Sequence, residues 1–277
     1  MRVLLFCLLM TVFAGPVAAS AVEAGCGTGG KCPVPGGYYL AEAPPDWDGT
    51  SALPLVVYFH GWNASPEGTF RNRSMVNPVL DRGALFVAPY ARIGYWRQIG
   101  PGRAEGGRAE EGRDEAAFIR AVMADIRKRW PIDEDLTLAA GFSRGASMVW
   151  NVACYTGELF AAYLPIAGGF WSSMPRECPS GPVNLRHIHG LTDKVVAYDR
   201  IGRYNSMPIT EGMAFLRDLD RCGADPDGSV SLPKYQCDIW SDCGSGRELQ
   251  LCTHPGGHSI PGEWVAQGYD WMAGLSN

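Results

Sequence analysis

The chain alternates short, uninterrupted apolar runs with segments whose apolar residues recur at helical spacing. A run that is apolar at nearly every residue fits a strand buried on both faces of a sheet. Residues 115–130 instead place Phe118, Val122 and Ile126 on one face of a helix. Strands that alternate with helices predict an α/β fold, with a mainly parallel sheet covered by helices on both faces. The predicted strands are residues 53–59, 84–89, 136–140, 161–167, 183–189 and 249–252, the last paired with 235–240, and a helix over 262–275 follows.

The third predicted strand runs into a serine motif. Residues 141–145 match the pattern G-x-S-x-G, with Ser143 at the centre and a predicted helix over 144–154 after it. A strand, a sharp turn and a helix in this order push the serine oxygen out above the sheet, and glycines are needed because side chains would collide there. The N-terminus of the helix also brings backbone N–H groups near developing negative charge. The motif predicts a nucleophilic serine, and the alternative is a glycine-rich turn that holds a serine by chance.

A nucleophilic serine needs a base, and the chain has five histidines. On an α/β sheet with such a motif, the acid and then the histidine follow the serine along the chain, each on a loop at the carboxyl ends of the strands. That order leaves His254 and His258. We favour His258 because Gly256 and Gly257 let the loop curl back over the serine. His254 stands next to a proline and is expected to end the strand.

The acid is expected on the loop that leaves the fifth predicted strand. Asp193 lies at the start of this loop, where its carboxylate can orient the imidazole ring of the base. Asp199 is the competitor further along the same loop, and it is better placed to tether the following turn. The expected catalytic residues are therefore Ser143, Asp193 and His258.

Hydrolysis through a serine also needs two N–H donors for the oxyanion. One is expected from the backbone of Arg144, the residue after the nucleophile. The other is expected from the loop that follows His60 and Gly61, where Trp62 is the natural donor. The indole ring of Trp62 is expected either to wall the substrate pocket or to pack on the surface. Candidates for an aromatic rim are Tyr95, Trp96, Phe142, Phe170 and Trp171.

Several segments carry a resemblance to a known group of enzymes. They are His60-Gly61, the serine motif, residues 189–196 around Asp193, residues 256–262 around His258 and the helix that begins near Asp114. These segments resemble the polyhydroxybutyrate depolymerase and feruloyl/acetylxylan esterase group of the α/β-hydrolase superfamily, over about residue 36 to the C-terminus. The resemblance implies the α/β-hydrolase fold and the same three catalytic residues. Residues 168–182 are too few for the helical cap domain of some α/β-hydrolases, so no large cap domain is expected.

The predicted catalytic residues and the resemblance together indicate a serine esterase that hydrolyses carboxylic ester bonds through an acyl-enzyme, without a metal or an organic cofactor. Its partners would be ester substrates, polymeric ones included, such as polyesters or the esters of plant cell-wall polysaccharides. At Trp62, Ala146, Ala197 and Ile260 the chain departs from residues that are common in the group, and these loop positions leave the substrate open. There are two alternatives. One is a serine peptidase of the prolyl oligopeptidase type, although the expected lack of a propeller domain counts against it. The other is a non-catalytic hydrolase-fold binding protein.

The start of the chain has the pattern of an export signal. Arg2 precedes an apolar run over residues 3–13, and small residues follow up to Ser20. The run is shorter than the roughly 18–20 apolar residues that span a bilayer. We expect a signal peptide at residues 1–19 and a single catalytic domain at residues 20–277, with cleavage after Ser20 or Ala24 as alternatives. The protein is then expected to be secreted, either extracellular or periplasmic.

Removing the signal also removes Cys7, which leaves eight of the nine cysteines. An even number of cysteines in an exported protein indicates four disulfides. Cys26–Cys32 would close a small N-terminal loop. The resemblance implies Cys154–Cys178 and Cys222–Cys243, which leaves Cys237–Cys252, brought close by the predicted strand pair. No Cys-x-x-Cys pair is present in the sequence, so no zinc site is expected.

The overall charge bears on partners. With 24 Lys and Arg against 29 Asp and Glu, the net charge is −5, which predicts no basic face for nucleic acid. After the first apolar run, no other is long enough to span a bilayer, so no membrane anchor is expected. Residues 102–115 repeat a short glycine-rich pattern of mixed charge and are expected to form a solvated loop.

Overall fold

The computed structural model describes residues 25–99, 112–171 and 173–275. The predicted signal peptide and residues 102–111 of the mixed-charge segment lie outside these residues. Within the described ranges, none of the helices combines the length and the apolar composition that crossing a membrane requires.

A ten-stranded sheet forms the centre of the described chain, in the order β1-β2-β4-β3-β5-β6-β7-β10-β9-β8. Its strands are β1 Thr28–Val34, β2 Gly37–Glu42, β3 Leu53–Phe59, β4 Leu85–Pro89, β5 Ile132–Phe142, β6 Ala162–Ile166, β7 Asn184–Gly190, β8 Gly228–Leu232, β9 Tyr235–Trp240 and β10 Leu249–His254. The strands from β4 to β10 in this order run parallel to one another. Antiparallel strands extend the sheet at both edges. The prediction of a mainly parallel sheet is confirmed.

Helices cover both faces of the sheet. They are α1 Pro66–Arg71, α2 Arg73–Leu80, α3 Glu115–Arg129, α4 Arg144–Tyr155, α5 Ile209–Asp220 and α6 Glu263–Leu275. On one face, α3, α4 and α5 bury residues such as Phe118, Met148 and Met213 in a common apolar cluster. On the other face, α1, α2 and α6 bury a second cluster that includes Val79 and Trp264. The sheet is therefore shielded from water on both sides, as its apolar central strands require.

The burial of each strand follows its place in the sheet. All residues of β4 and β6 are buried, as are all but one of β3, and these are the uninterrupted apolar runs of the sequence. The edge strand β8 is exposed or half-buried throughout. The strand predicted at 136–140 begins earlier, at Ile132, because its polar first residues extend beyond the covered part of the sheet. The helix predicted at 115–130 begins as expected, since the Asp114 side chain accepts the N–H of Ala117 at 3.0 Å and caps it.

Four disulfides cross-link the described part of the chain. The four pairs in the structure are Cys26–Cys32, Cys154–Cys178, Cys222–Cys243 and Cys237–Cys252. Cys237 and Cys252 lie directly opposite each other on β9 and β10. Cys154 stands near the end of α4, the helix that follows the serine motif, and Cys178 lies on the loop after β6. The helix that follows Ser143 is thus held at its far end by a disulfide.

Candidate active site

Ser143 lies in a sharp turn between the end of β5 and the first residue of α4. Its backbone has φ 57° and ψ −120°, a region that residues with a side chain rarely adopt. Such a conformation costs about 1–3 kcal/mol and persists where the surrounding structure enforces it. The N–H of Ser143 donates to the carbonyl of Ile166 at 2.9 Å, which holds the turn against the end of β6. The side chain is therefore displayed at the carboxyl edge of the parallel strands.

The two glycines of the motif allow the close packing that this turn needs. A Cβ atom on Gly145 would collide with the carbonyl oxygen of Phe59 at the end of β3. A Cβ atom on Gly141 would lie 2.6 Å from the carbonyl oxygen of Gly145. A larger residue at either position would push α4 away from the sheet. The G-x-S-x-G pattern has a steric cause in this fold.

Ser143, His258 and Asp193 form a chain of hydrogen bonds. Nε2 of His258 lies 2.8 Å from Oγ of Ser143, and Nδ1 lies 2.7 Å from Oδ2 of Asp193. A carboxylate only accepts hydrogen bonds, so Nδ1 carries the ring hydrogen and Nε2 accepts the hydrogen of the serine hydroxyl. The structure thus brings together the three residues that the sequence predicts, with the imidazole in the tautomer of a general base.

Neighbouring strands position Asp193 and His258. Asp193 follows β7, His258 follows β10, and these two strands are parallel neighbours in the sheet. Their loops are also joined directly, because the N–H of Thr192 donates to the carbonyl of Gly256 at 3.1 Å. The distance between the two functional side chains is therefore set by the spacing of adjacent strands rather than by two independent loops.

The environment of Asp193 favours its ionised form. Its side chain is buried, and Oδ1 accepts the backbone N–H groups of Val195 at 2.7 Å and Val196 at 3.0 Å. Burial acts to raise the pKa of Asp193, but the hydrogen bonds from His258, Val195 and Val196 outweigh it and hold the pKa below its ordinary value. The carboxylate is consequently charged at neutral pH and can stabilise an imidazolium on His258.

Two further histidines lie behind Asp193 in the core. Nε2 of His189 is 2.9 Å from the carbonyl oxygen of Val196, which can only accept, so His189 carries its hydrogen on Nε2. Its Nδ1 then accepts from Nε2 of His187 at 3.0 Å. Burial lowers the pKa of both rings, and the neighbouring His189 lowers that of His187 further. Both rings are neutral and packed in the core.

The remaining histidines also have structural places. His60 is buried beside Trp96, with ring centroids 5.4 Å apart. His254 is the last residue of β10, as predicted, and its Nδ1 accepts the N–H of Gly256 at 3.1 Å. His254 thereby shapes the start of the loop that carries His258. Asp199, the alternative candidate for the acid, is exposed and pairs with Arg200 at 3.0 Å.

Known proteins resemble the chain in sequence and in fold. A comparison with models of protein families finds no match. A probable feruloyl esterase C of Aspergillus clavatus is 24% identical over 250 residues, covering 85% of this chain and 82% of the relative. A second, of Aspergillus terreus, is 27% identical over 206 residues, covering 69% and 70%. The solved acetyl xylan esterase from Aspergillus awamori has a TM-score of 0.60 at 14% identity, covering 85% of this chain and 93% of its own. The chain is a carboxylic ester hydrolase of the α/β-hydrolase fold.

The resemblance of this esterase to the polyhydroxybutyrate depolymerase and feruloyl/acetylxylan esterase group is confirmed. Among the alternatives raised by the sequence, the relatives named above favour the esterase over the peptidase and over the non-catalytic binding protein.

A cavity of about 490 Å³ opens beside Ser143 of the esterase. It is lined by Trp62, Tyr95, Ser143, Arg144, Trp171, Val195 and Tyr204. Both residues expected to donate to the oxyanion, Trp62 and Arg144, therefore border the same space as the serine. Gly61 packs against the serine turn, since a Cβ atom there would lie 3.6 Å from Cβ of Ser143. The loop after β3 is thus adjacent to Ser143, as an oxyanion donor from this loop would require.

Two stacked aromatic pairs form the walls of the cavity. The rings of Trp62 and Tyr95 lie 4.6 Å apart at 8°, and those of Trp171 and Tyr204 lie 6.2 Å apart at 9°. The guanidinium carbon of Arg144 is 5.5 Å from the ring centre of Tyr95 and 4.5 Å from that of Trp171, so it contacts one member of each pair. Arg144 is also held by its Nε, which donates to the carbonyl of Trp96 at 2.9 Å. The cavity has flat, apolar walls around one fixed cation.

The expected aromatic rim is present in part. Tyr95 and Trp171 line the cavity, whereas Phe142 packs on the ring of His258 at 4.8 Å. Trp96 and Phe170 are buried in the core.

Tyr204 was not predicted at the site. It is 64% exposed at the rim and has a left-handed backbone, with φ 61°. Asn205 beside it is also left-handed, with φ 59°. Irregular turns of this kind have no periodic pattern, and the only available signal was an aromatic residue next to an asparagine, which tolerates such a conformation.

Proposed function

We propose that the chain is a secreted serine esterase whose catalytic triad is Ser143, His258 and Asp193. The observation that carries this proposal is the unbroken chain of hydrogen bonds from Ser143 through His258 to Asp193, at 2.8 Å and 2.7 Å, beside an accessible cavity. A serine, a base and an orienting acid within hydrogen-bond reach are what nucleophilic catalysis by a hydroxyl group requires.

The reaction follows from this geometry. Oγ of Ser143 attacks the ester carbonyl while Nε2 of His258 takes the hydroxyl proton, which gives a tetrahedral intermediate. The C–O bond to the alcohol then breaks, and His258 returns the proton to the departing oxygen. A water molecule attacks the acyl-enzyme in the same way, the acid leaves, and Oγ of Ser143 recovers its proton. Asp193 keeps the imidazole oriented and stabilises its positive charge in both halves.

The oxyanion of the tetrahedral intermediate is stabilised by two backbone N–H groups, those of Trp62 and Arg144. Arg144 begins α4, so the partial positive charge at the start of that helix adds to the effect. Donors of this kind typically contribute about 3–4 kcal/mol each to the stabilisation of the transition state. No step of this chemistry calls for a metal or an organic cofactor.

The substrates are esters with bulky or polymeric groups, such as the feruloyl or acetyl esters of plant cell-wall polysaccharides or polyesters. The feruloyl esterase and acetyl xylan esterase relatives support plant cell-wall esters. The flat walls of the cavity suit planar or extended groups, because aromatic faces stack with little loss of conformational entropy. Trp62 and Tyr204, which are 57% and 64% exposed, leave the rim accessible to large substrates.

The protein acts outside the cytoplasm, as the export-signal pattern at residues 1–19 indicates. Four disulfides support this location, because disulfides persist in oxidising compartments.

Hydrolysis of para-nitrophenyl acetate and butyrate by the purified protein tests the proposal. Ser143→Ala should lower kcat by about 10⁴-fold or more, as removal of a nucleophile does in other serine hydrolases. Ser229→Ala, at an exposed position of the edge strand β8, is the matched control and should keep full activity. A fluorophosphonate probe should label the wild type and Ser229→Ala but not Ser143→Ala. An unlabelled and inactive wild type would contradict the proposal. Methyl ferulate, acetylated xylan and hydroxybutyrate oligomers then rank the substrate classes.

A further inference from the structure

Ser147 lies one helical turn after Ser143, on the same face of α4. Its backbone N–H donates to the carbonyl of Ser143 at 3.0 Å, and the residue is only 2% exposed. A hydroxyl group this deeply buried needs a hydrogen-bond partner. The partner is the indole of Trp171, whose Nε1 donates to Oγ of Ser147 at 2.6 Å. The helix that begins at the serine turn is therefore bonded to a residue that lines the cavity.

The backbone of the segment that carries Trp171 is held from two sides. This segment lies after β6, and the carbonyl of Gly168 accepts from Nε1 of Trp150 on α4 at 2.9 Å. The carbonyl of Phe170 accepts the N–H of Met207, on the loop after β7, at 2.7 Å. These two bonds fix the backbone between the helix and the loop, but they do not orient the side chain of Trp171.

The hydrogen bond to Ser147 selects one orientation of the indole ring. An indole group has a single polar hydrogen, on Nε1, so the position of its acceptor decides which edge of the ring points to α4. The ring of Trp171 also lies parallel to that of Tyr204, with centroids 6.2 Å apart at 9°. Such stacking depends on the faces of the rings, so by itself it permits rotation of the indole within its plane. Ser147 thus controls how Trp171 is presented to a substrate.

We propose that Ser147 is a positioning residue, which holds the indole of Trp171 as the wall against which a planar group of the ester binds. The inference rests on the proposed function, because it concerns the ester that Ser143 attacks. A planar group gains most contact when it lies parallel to the indole, whereas a methyl group makes much the same contact at any ring angle. The planar group belongs to the acid or to the alcohol of the ester, and experiment separates the two.

Three esters measure the effect. Methyl acetate is small on both sides, methyl ferulate has a planar acid, and phenyl acetate has a planar alcohol. Release of acid in a pH-stat gives kcat and KM, and the KM of each planar ester is divided by that of methyl acetate. Ser147→Ala should raise this KM ratio about three- to tenfold for at least one planar ester, as the loss of one hydrogen bond predicts. The change should be in KM rather than in kcat, because a fixed wall contacts the substrate and the transition state alike.

Two further variants assign the effect to the hydrogen bond. Trp171→Phe keeps an aromatic face but removes the N–H donor, so it should also raise the KM ratio. The double variant should match Trp171→Phe alone, because the bond is already lost there. Ser180→Ala is the matched control, with an unchanged ratio. Oγ of Ser180 also accepts a hydrogen bond, from the N–H of Gly157 at 2.7 Å, but beyond the end of α4 that is remote from Ser143.

The indole N–H of Trp171 provides a readout that needs no turnover. Its signal in a side-chain ¹⁵N–¹H spectrum is the one that disappears in Trp171→Phe. Exchange of this hydrogen with deuterium should be about three- to tenfold faster in Ser147→Ala than in the wild type, and unchanged in Ser180→Ala. Alanine favours a helix more than serine does, so α4 should be retained in Ser147→Ala.

The outcomes separate this inference from the proposed function. A raised KM ratio with faster indole exchange in Ser147→Ala supports the inference. Hydrolysis of all three esters with an unchanged ratio in Ser147→Ala overturns it and leaves the esterase intact. Equal slowing of the three esters by Ser147→Ala also overturns it, because that result would show a general role at the serine turn. If the wild type hydrolyses none of them, the proposed function fails, and indole exchange alone decides whether Ser147 positions Trp171.

Discussion

Nε2 of His189 lies 3.6 Å from Oδ2 of Asp193, the oxygen that accepts the hydrogen bond from His258. His189 gives its own hydrogen to the carbonyl of Val196, so it does not compete for the carboxylate. Its burial lowers its pKa and keeps the ring neutral. A charged His189 would neutralise Asp193 from behind and weaken its attraction for an imidazolium on His258. Because His189 is neutral, the Asp193 carboxylate keeps its negative charge for interaction with His258.

We expect His187 and His189 to be mainly neutral at pH 6.5, where an ordinary imidazole is half protonated, with the hydrogen on Nε2. Burial lowers both pKa values below the ordinary range, so protonation in the folded state needs a lower pH than in the unfolded state. Their contribution to stability is accordingly full above pH 6.5 and declines as the pH falls. Side-chain ¹⁵N–¹H correlation spectra report both the tautomer and the charge. Titration of either ring near pH 6.5 would contradict this prediction.

Replacement of Asp193 by Asn should lower kcat by about 10⁴-fold while KM changes little. An amide at this position can donate to Nδ1 of His258, which would place the ring hydrogen on Nε2, where it can no longer accept from Ser143. Steady-state kinetics with para-nitrophenyl butyrate measure the effect. Asp199→Asn, on the same loop, is the control and should retain activity. Equal losses in the two variants would show that Asp193 has been assigned the wrong role.

Asp220 should make the protein less stable as the pH rises from about 4 to 7. Asp220 is fully buried at the end of α5. Burial raises its pKa, the backbone of Val183 and the charge of Arg247 lower it by less, and the resulting pKa is about 7. The folded state holds this proton more tightly than the unfolded state, so stability declines with rising pH. Asp220→Asn should therefore be more stable than the wild type at pH 8, by about 1–3 kcal/mol, and similar to it at pH 4.

Urea unfolding at the two pH values measures this difference. Asp218→Asn, an exposed position on the same helix, is the matched control and should follow the wild type at both. If the free energies of unfolding of Asp220→Asn and the wild type differ by the same amount at pH 4 and pH 8, Asp220 does not titrate in this range.

Arg113→Met should lower the free energy of unfolding by about 3–5 kcal/mol. Arg113 and Glu115 form a buried ion pair at 2.5 Å, and Nη1 of Arg113 also donates to the carbonyl of Tyr90 at 2.8 Å. The variant leaves the buried carboxyl group of Glu115 without its ion-pair partner. Lys234→Met breaks an exposed pair with Glu263 and should cost less than about 1 kcal/mol. Denaturant unfolding compares the two variants. Similar losses in the free energy of unfolding would contradict the prediction that the buried pair contributes more to stability than the exposed pair.

The sequence was informative where residues repeat with a period or form a defined motif. The apolar run at 53–59 has the bounds of β3, because a strand buried on both faces needs an apolar residue at nearly every position. The turn at Ser143 was predictable because only glycine fits at Gly141 and Gly145. Chain order then limited the base to His254 and His258. These features are local, so one sequence suffices to find them.

Other elements were missed because their stability comes from contacts far along the chain. The hairpin β1–β2 and the edge strand β8 are partly exposed, so they have no continuous apolar run. The helix α5 is different, because Ile209, Met213 and Leu216 recur at helical spacing and make it predictable from the sequence. Tyr204 reaches the cavity only because the loop after β7 folds back to it, and no short pattern encodes such a return.

The chain between β7 and β10 has a consequence for how this enzyme can change. Asp193 lies near the start of that connection and His258 follows β10, so their separation is set by the hydrogen bonds between the adjacent strands β7 and β10. Tyr204, α5 and the outer strands β8 and β9 lie within the connection, away from those bonds. Insertions or replacements there can reshape one wall of the cavity while the catalytic distances stay constant. Changes in this one segment can therefore alter which substrates the cavity accepts while Ser143, His258 and Asp193 keep their positions.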